Sequence, residues 1–278
     1  MIDACVFDLG GAVDTSIDTG HHYYLYGVIP AGQPAPDFDQ NSFQTLQHQD
    51  LVALVEAVPA KEFSTDALEQ SMASLEWVEQ LARKHQAVLE VAMQLGPVVP
   101  ALLCTLYSSI DGVRTALASN QNHLAGLLGQ LAGCQEWGIK MRCDEEAMGR
   151  SIEATTAGSN IPNGLSSGAA WILAKQAQAR LKDAVVRRID DIIEEVECVM
   201  EPLVVSAREL ALPPSGLATE GPPVVLNLAV LLRTAERHTF DAAVAMLADR
   251  YANQAVIFET TGPWPAYSFC GEAEQVDG

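Results

Sequence analysis

Histidines are the side chains of this 278-residue sequence that could most directly bind a metal ion. His21 and His22 are neighbours in a run typical of a strand, so their side chains point to opposite sides and cannot easily hold one ion. His85 falls on the apolar face of a helical pattern, with no H-x-x-x-H spacing and no nearby cysteine to complete a site. The sequence therefore favours a core or interface role for His85 and predicts neither a metal nor a cofactor.

Asp8 is the residue that could serve as a covalent nucleophile. It lies in VFDLGGAVDT, which resembles the first motif of haloacid-dehalogenase-type phosphatases, where a nucleophilic aspartate follows a strand. The position two residues on, where an acid/base aspartate is common, is Gly10. No lysine on a strand precedes a magnesium-binding acidic pair, because Asp190-Asp191 falls in a helical pattern. A phosphatase that uses Asp8 stays as an alternative function.

Motifs and charge argue against several other classes of protein. P-loop and G-x-G-x-x-G motifs are absent and no Ser/His/Asp set can be assembled from the sequence, so we predict a protein that is not an enzyme and has no catalytic residues. The 16 Lys and Arg against 36 Asp and Glu give a net charge of −20, which phosphate backbones and anionic lipid surfaces repel. We therefore expect neither nucleic acids nor membranes as partners.

Cysteine usage and the N-terminal residues indicate the cytoplasm. The 6 cysteines form no C-x-x-C pair, which fits a reducing compartment. Lys61 is the first cation in the sequence, so the N-terminus is not a signal peptide. Apolar runs also stay shorter than the about 20 residues of a membrane span.

The apolar patterns predict an α+β fold with two domains. We expect a leader over 1–20, an N-terminal α+β domain over 21–133 and a C-terminal α+β domain over 134–278 that includes an aromatic and proline-rich tail. In the N-terminal domain the predicted elements are strands over 23–29, 51–58 and 98–107, a loop over 30–50, a helix from Ser74 to Met93 and short helices over 112–118 and 120–132.

The C-terminal domain is predicted to be ferredoxin-like. Its expected elements are strands over 136–143, 203–210, 224–232 and 255–259, helices over 144–156 and 169–200, and a helix marked by Phe240, Val244, Leu247 and Tyr251. This β-α-β-β-α-β order is that of a ferredoxin-like sheet with an enlarged, long-helix first crossover. The long helix is basic before Asp190 and acidic after it, which indicates a solvated face or a site for a basic partner.

The C-terminal tail contains TTGPWPAYSF, where two prolines and a glycine favour an extended, stiff path. It presents Trp264, Tyr267 and Phe269, large side chains that either close over the core or anchor a partner.

A set of segments, taken in chain order, resembles the F/L family of gas vesicle proteins (the GvpF/GvpL type). They are YLYG from Tyr24, W-V-x-x-L-A-x-x-H-x-x-V from Trp77, G-P-V-x-P from Gly96, E-W-G-x-K from Glu136, G-A-A-W from Gly168, V-L-N from Val225 and T-G-P-W-P-x-Y-x-F over 261–269. The sequence departs from the family at Leu102 and Cys104, where relatives often have arginine and glycine. The leader also lies outside the resemblance.

The resemblance implies a structural, protein-binding role in gas vesicle formation in the cytoplasm. Such proteins act with the small, hydrophobic shell protein (A type) and with other accessory proteins, as minor components or assembly factors that help nucleate or guide the shell. A scaffold that joins other accessory proteins without touching the shell protein is the alternative. The family-motif residues that could form an interface are Glu136, Trp137, Gly138, Lys140, Gly262, Pro263, Trp264, Pro265, Tyr267 and Phe269.

Overall fold

A computed structural model describes residues 20–36, 43–156, 167–213 and 221–271. The chain divides into two compact units: Met1–Glu136 with Pro263–Gly278, and Trp137–Gly262. Each unit combines an antiparallel sheet with helices, so the predicted α+β class is confirmed. The predicted domain boundaries, with a leader over 1–20 and a division between residues 133 and 134, stay a prediction.

The described residues form nine strands, eight α-helices and two 3-10 turns. The strands are β1 (His21–Pro30), β2 (Phe43–His48), β3 (Leu51–Pro59), β4 (Val99–Pro100), β5 (Leu106–Tyr107), β6 (Cys134–Cys143), β7 (Ser206–Glu209), β8 (Val224–Arg233) and β9 (Val256–Trp264). The helices are α1 (Thr65–Met72), α2 (Leu75–Leu95), α3 (Ile110–Ser119), α4 (Gln121–Leu131), α5 (Glu145–Thr156), α6 (Ser167–Met200), α7 (Arg237–Tyr251) and α8 (Tyr267–Cys270), with 3-10 turns at Thr234–Glu236 and Ala252–Gln254.

Strand β1 is the central strand of the first sheet, whose order is β2-β3-β1-β4, with β5 also paired to β1. It runs antiparallel to β3 along its whole length, with an irregularity between Leu25 and Gly27. A Cβ atom on Gly27 would lie 2.8 Å from the Val99 carbonyl oxygen and 3.1 Å from a methyl group of Leu89. A glycine here therefore lets β4 and α2 approach the bulged strand closely.

The core of the first unit lies between β1, β3 and α2. Ser74 accepts a hydrogen bond from the Trp77 backbone N–H at 3.4 Å, which caps α2 where the sequence predicted its start. One face of α2 then buries its apolar residues against the sheet. The shared core consists of Tyr24, Tyr26, Ile29, Leu54, Val58, Val88, Leu89, Ala92, Val98 and Leu106.

The second unit packs α6 and α7 against a sheet with the order β7-β8-β6-β9. Alternate residues of β6 and β8 point into the core, which is the two-residue period of a strand with one buried face. They meet the apolar stripe of the C-terminal half of α6. The main contributors are Ile139, Met141, Leu226, Leu228, Val230, Leu232, Ile189, Ile192, Val196, Met200, Phe240 and Leu247.

Some predicted elements of the first unit are wrong in detail. The predicted loop over 30–50 contains β2, an edge strand whose hydrogen bonds come from pairing with β3 rather than from its own polar sequence. The predicted strand over 98–107 is instead the two short strands β4 and β5. They are separated by a turn in which the Leu102 carbonyl accepts from the Thr105 N–H at 3.2 Å. Cys104 in this turn has a φ of 66°, a left-handed conformation that favours glycine.

Two glycine substitutions test how tightly β1 is enclosed. Gly27→Ala should lower the free energy of unfolding by about 1–3 kcal/mol, because the added methyl group overlaps the Val99 carbonyl. Gly126 in α4 has open space around it. Gly126→Ala should therefore raise stability by roughly 0.5–1 kcal/mol through helix propensity. Urea unfolding of both variants measures this difference, and equal effects would contradict the close approach at Gly27.

Candidate functional site

The predicted interface residues lie on two neighbouring strands and the segment that follows them. Glu136, Trp137, Gly138 and Lys140 belong to β6, and Gly262 to Trp264 end β9, which is hydrogen-bonded to β6. Tyr267 and Phe269 belong to α8. The structure therefore brings the two motifs of the sequence together.

Glu136 links the two motifs directly within the first unit. Its buried carboxylate accepts hydrogen bonds from the Ser268 hydroxyl at 2.7 Å and from the Ser268 backbone N–H at 3.0 Å. A buried carboxylate is costly unless such donors satisfy it, so this pair fixes α8 in place. Glu136 therefore has a structural role in holding the end of the chain.

The aromatic residues of α8 face inwards. Phe269 is buried, and Tyr267 packs against the core of the first unit. Burial, with smaller contributions from Cys270 and Glu136, raises the pKa of Tyr267 above its usual range. Pro265 is buried as well. These residues anchor the C-terminal segment rather than offer a surface.

Trp137 and Gly138 stabilise the second unit. The guanidinium carbon of Arg237 lies 3.4 Å from the centroid of the Trp137 ring, and its Nε donates to Asp241 at 2.8 Å. A Cβ atom on Gly138 would lie 2.7 Å from the Thr261 hydroxyl, so glycine makes room for the adjacent strand β9. Lys140, further along β6, is half-buried.

Gly262, Pro263 and Trp264 are the exposed members of the predicted set. Gly262 has a φ of 130°, which an L-residue with a side chain rarely adopts. The Trp264 side chain is 42% exposed. This short stretch is the part of the motif that a partner can reach.

The candidate metal ligand His85 is a satisfied core residue. The Ala101 carbonyl can only accept, so His85 Nε2 carries the proton and donates to it at 3.1 Å. Nδ1 then accepts from the Tyr24 hydroxyl at 2.8 Å, and Tyr24 in turn accepts from the Cys104 N–H at 3.1 Å. Burial lowers the pKa of His85 to about 4, against an opposing contribution from the bond to Ala101. Among the described residues, no group of three His, Cys, Asp or Glu side chains could hold a metal ion.

Sequence patterns did not reveal a second polar cluster beside His85. Glu56 on β3 is buried and accepts from the Tyr26 hydroxyl at 2.5 Å and from the Lys84 ammonium at 2.7 Å. Burial and this bond to Glu56 raise the pKa of Tyr26. The cluster borders a cavity of about 520 Å³ with aromatic walls from Phe63 and Trp77. The two-residue spacing of Tyr24 and Tyr26, which places both side chains on one face of β1, was the sequence signal for this cluster. The alternative nucleophile Asp8 lies outside the described residues.

Comparison with known proteins decides the family. Residues 22–271 match the family model described as gas vesicle synthesis protein GvpL/GvpF. The chain belongs to the GvpL/GvpF family. Gas vesicle protein L of Streptomyces sp. (strain CB03234) is similar to it, with 29% identity over 250 residues that cover 90% of each chain. The family resemblance predicted from the sequence is confirmed.

Two crystal structures of GvpF share the fold of this GvpL/GvpF protein. GvpF from Anabaena sp. PCC7120 superposes with a TM-score of 0.63 and 18% identity, over 90% of this chain and 96% of its own. GvpF from Microcystis aeruginosa gives the same score and identity, over 91% of this chain and 99% of its own.

Membership makes this GvpL/GvpF protein a gas vesicle accessory protein that associates with other gas vesicle proteins. The family comprises structural and accessory proteins rather than known enzymes. Within the ranges that the structure describes, no helix has both the length and the apolar character needed to cross a membrane.

The neutral state of His85 predicts a pH-dependent stability. Its pKa is about 4 when folded and 6.5 when exposed, so the unfolded chain binds a proton that the folded chain excludes between these values. Stability should therefore fall as pH drops, by about 2 kcal/mol from about pH 7 to about pH 5. Urea unfolding at both pH values measures the loss. His85→Gln should remove most of it, whereas the same change at the exposed His238 should not; an unchanged pH dependence in His85→Gln would refute the assignment.

The Glu136 pair predicts a local loss of stability. Glu136→Ala should lower the free energy of unfolding by about 1–3 kcal/mol, because it leaves the Ser268 N–H without its acceptor. Glu79→Ala is the matched control, since Glu79 forms an exposed ion pair with Arg83 that contributes about 0–1 kcal/mol. Equal losses in the two variants would show that the Glu136 bond does not fix α8.

Proposed function

We propose that this protein binds the hydrophobic gas vesicle shell protein (A type) and helps nucleate or guide gas vesicle formation. The observation that carries the proposal is the match to the gas vesicle synthesis family over residues 22–271, nearly the whole chain. We expect it to act in the cytoplasm at the growing gas vesicle, as a minor component or an assembly factor.

Charge gives the proposal a physical basis. A shell subunit exposes apolar surface before assembly, and such surface aggregates unless it is covered. A bound protein with a net charge of −20 keeps the pair dispersed by mutual repulsion between complexes. Binding by this acidic protein would therefore deliver shell subunits without requiring any chemical reaction.

The exposed end of the T-G-P-W-P motif is the proposed contact in the first unit. Trp264 offers a large, half-exposed aromatic surface, and the adjacent Pro263 restricts the backbone that presents it. Aromatic residues held in this way contribute much of the binding energy at protein interfaces. The buried residues Glu136 and Phe269 would act indirectly, by holding this segment in place.

A ferredoxin-like second unit is also part of the proposal. Its strands β6 and β7 are joined by α5 and α6 with β8 between them, and β8 and β9 are joined by α7 with β6 between them. The unit therefore contains two β-α-β motifs, each with one other strand between its own two strands, and this supports the ferredoxin-like assignment.

Co-expression with the shell protein tests the proposed function. The shell protein should co-purify with this chain, and crosslinks should map near Trp264. Deletion of the gene should reduce the number of gas vesicles or alter their shape. Co-purification of other accessory proteins alone would favour the alternative scaffold, and unchanged vesicles with no bound shell protein would refute both roles.

Two aromatic substitutions separate binding from folding. Trp264→Ala should reduce shell protein recovery while it lowers the free energy of unfolding by only about 1–2 kcal/mol, because 42% of the side chain is already exposed. Phe269→Ala should instead lower stability by about 3–5 kcal/mol, because it leaves a cavity in the core. Ile257→Ala, at an exposed apolar position of the same strand β9, should leave shell protein recovery unchanged. Equal recovery with Trp264→Ala and Ile257→Ala would exclude Trp264 from the contact.

A further inference from the structure

The N-terminal half of α6 is an exposed helix that carries large apolar side chains. Every residue from Trp171 to Arg180 is exposed, including Trp171 at 62% and Ile172 at 51%. The C-terminal half of the same helix buries its apolar stripe against the sheet of the second unit. We call residues 171–182 the arm. Contiguous exposed apolar side chains of this kind mark an interaction site.

The arm is basic, although the protein is strongly acidic. Three cations, Lys175, Arg180 and Lys182, lie in residues 171–182 with no carboxylate among them, so the arm has a charge of +3 in a chain of −20. Lys175 and Lys182 are seven residues apart and lie on the face of Trp171. The Lys175 ammonium is 4.9 Å from the centroid of the Trp171 ring. A surface that is complementary to this face of the arm therefore contains both apolar and acidic side chains.

A groove elsewhere in the second unit has this chemistry. It lies between the C-terminal half of α6 and β7 and has a volume of about 630 Å³. Val205 and Leu228 contribute apolar surface to it. Its acidic lining residues are Glu194, Glu197, Glu201 and Glu209.

The arm cannot reach the groove of its own molecule. Both are carried by one continuous helix of 34 residues, about 51 Å long at the usual rise per residue, so the arm cannot turn back. The basic arm and the acidic groove have complementary charges, so the arm of a second copy of the chain is the partner that fits the groove.

We propose that the arm of one copy docks in the acidic groove of a second copy. If a two-fold axis relates the two copies, each arm binds the groove of the other copy, and the assembly is a symmetric dimer. The binding mode is that of an amphipathic helix in a groove. The overall repulsion between two acidic copies is screened beyond about 8 Å at physiological ionic strength, whereas pairs in direct contact are screened much less.

A charge-exchange experiment on the full-length chain tests this interface. The arm variant carries Lys175→Glu with Lys182→Glu, and the groove variant carries Glu197→Lys with Glu201→Lys. Each variant alone places like charges together, so each should remain a single copy at concentrations where the unaltered chain is dimeric. An equal mixture of the two restores opposite charges at both contacts, and it should dimerise. Sedimentation velocity measures the mass in each case.

The control variant is Arg83→Glu with Arg114→Glu, which changes the net charge as much as the arm variant but at exposed positions on α2 and α3. It should dimerise like the unaltered chain. The proposal fails if the unaltered chain stays a single copy at every concentration, or if the arm variant still dimerises. It also fails if the mixture stays dissociated, or if the arm binds only an acidic segment of another gas vesicle protein. Restored dimerisation in the mixture could not come from misfolded variants.

Discussion

The neutral imidazole of His85 connects three parts of the first unit on which the rest of that unit depends. Its two nitrogens hold the Tyr24 hydroxyl of the central strand and the Ala101 carbonyl of the turn between β4 and β5. Tyr24 also accepts from the Cys104 N–H, so the turn is held at two points. Because each buried polar atom in this chain of bonds has a partner, the hydrogen bonds offset the desolvation penalty of packing helix α2 against the sheet. The position of α2 in turn sets the aromatic cavity beside Glu56.

Long, regular elements of this fold could be predicted from the sequence, and short or irregular ones could not. The spacing of Trp77, Leu81 and His85 predicted α2 because one helical face is buried along its length. Strand β2 escaped prediction because its polar sequence becomes a strand only when β3 supplies hydrogen bonds. The division of 98–107 into β4 and β5 depends on the left-handed backbone of Cys104. Such a turn is fixed by contacts between distant parts of the chain.

In the candidate site, the sequence motifs identified the family but did not show which motif residues are exposed. Motif residues were sufficient to predict the family, because their order in the chain is preserved. Their side chains were not sufficient to predict which of them a partner can touch. Glu136 and Phe269 proved to be buried anchors, while Trp264 is exposed, although all belong to recognisable motifs. Burial depends on the packing of β6, β9 and α8, which a list of residue types does not contain.

The bond between Glu136 and Ser268 joins residues 132 positions apart in the sequence, which affects how the protein is made. The first unit is interrupted by Trp137–Gly262, whereas the second unit is one continuous segment. On the ribosome, at about 5–20 residues per second, the interruption delays closure of the first unit by roughly ten seconds. During that interval β4 lacks the cover of α8, which contacts it in the finished protein. The segment that contains α8 is therefore synthesised after the whole second unit, and it completes a first unit whose other described elements were made before it.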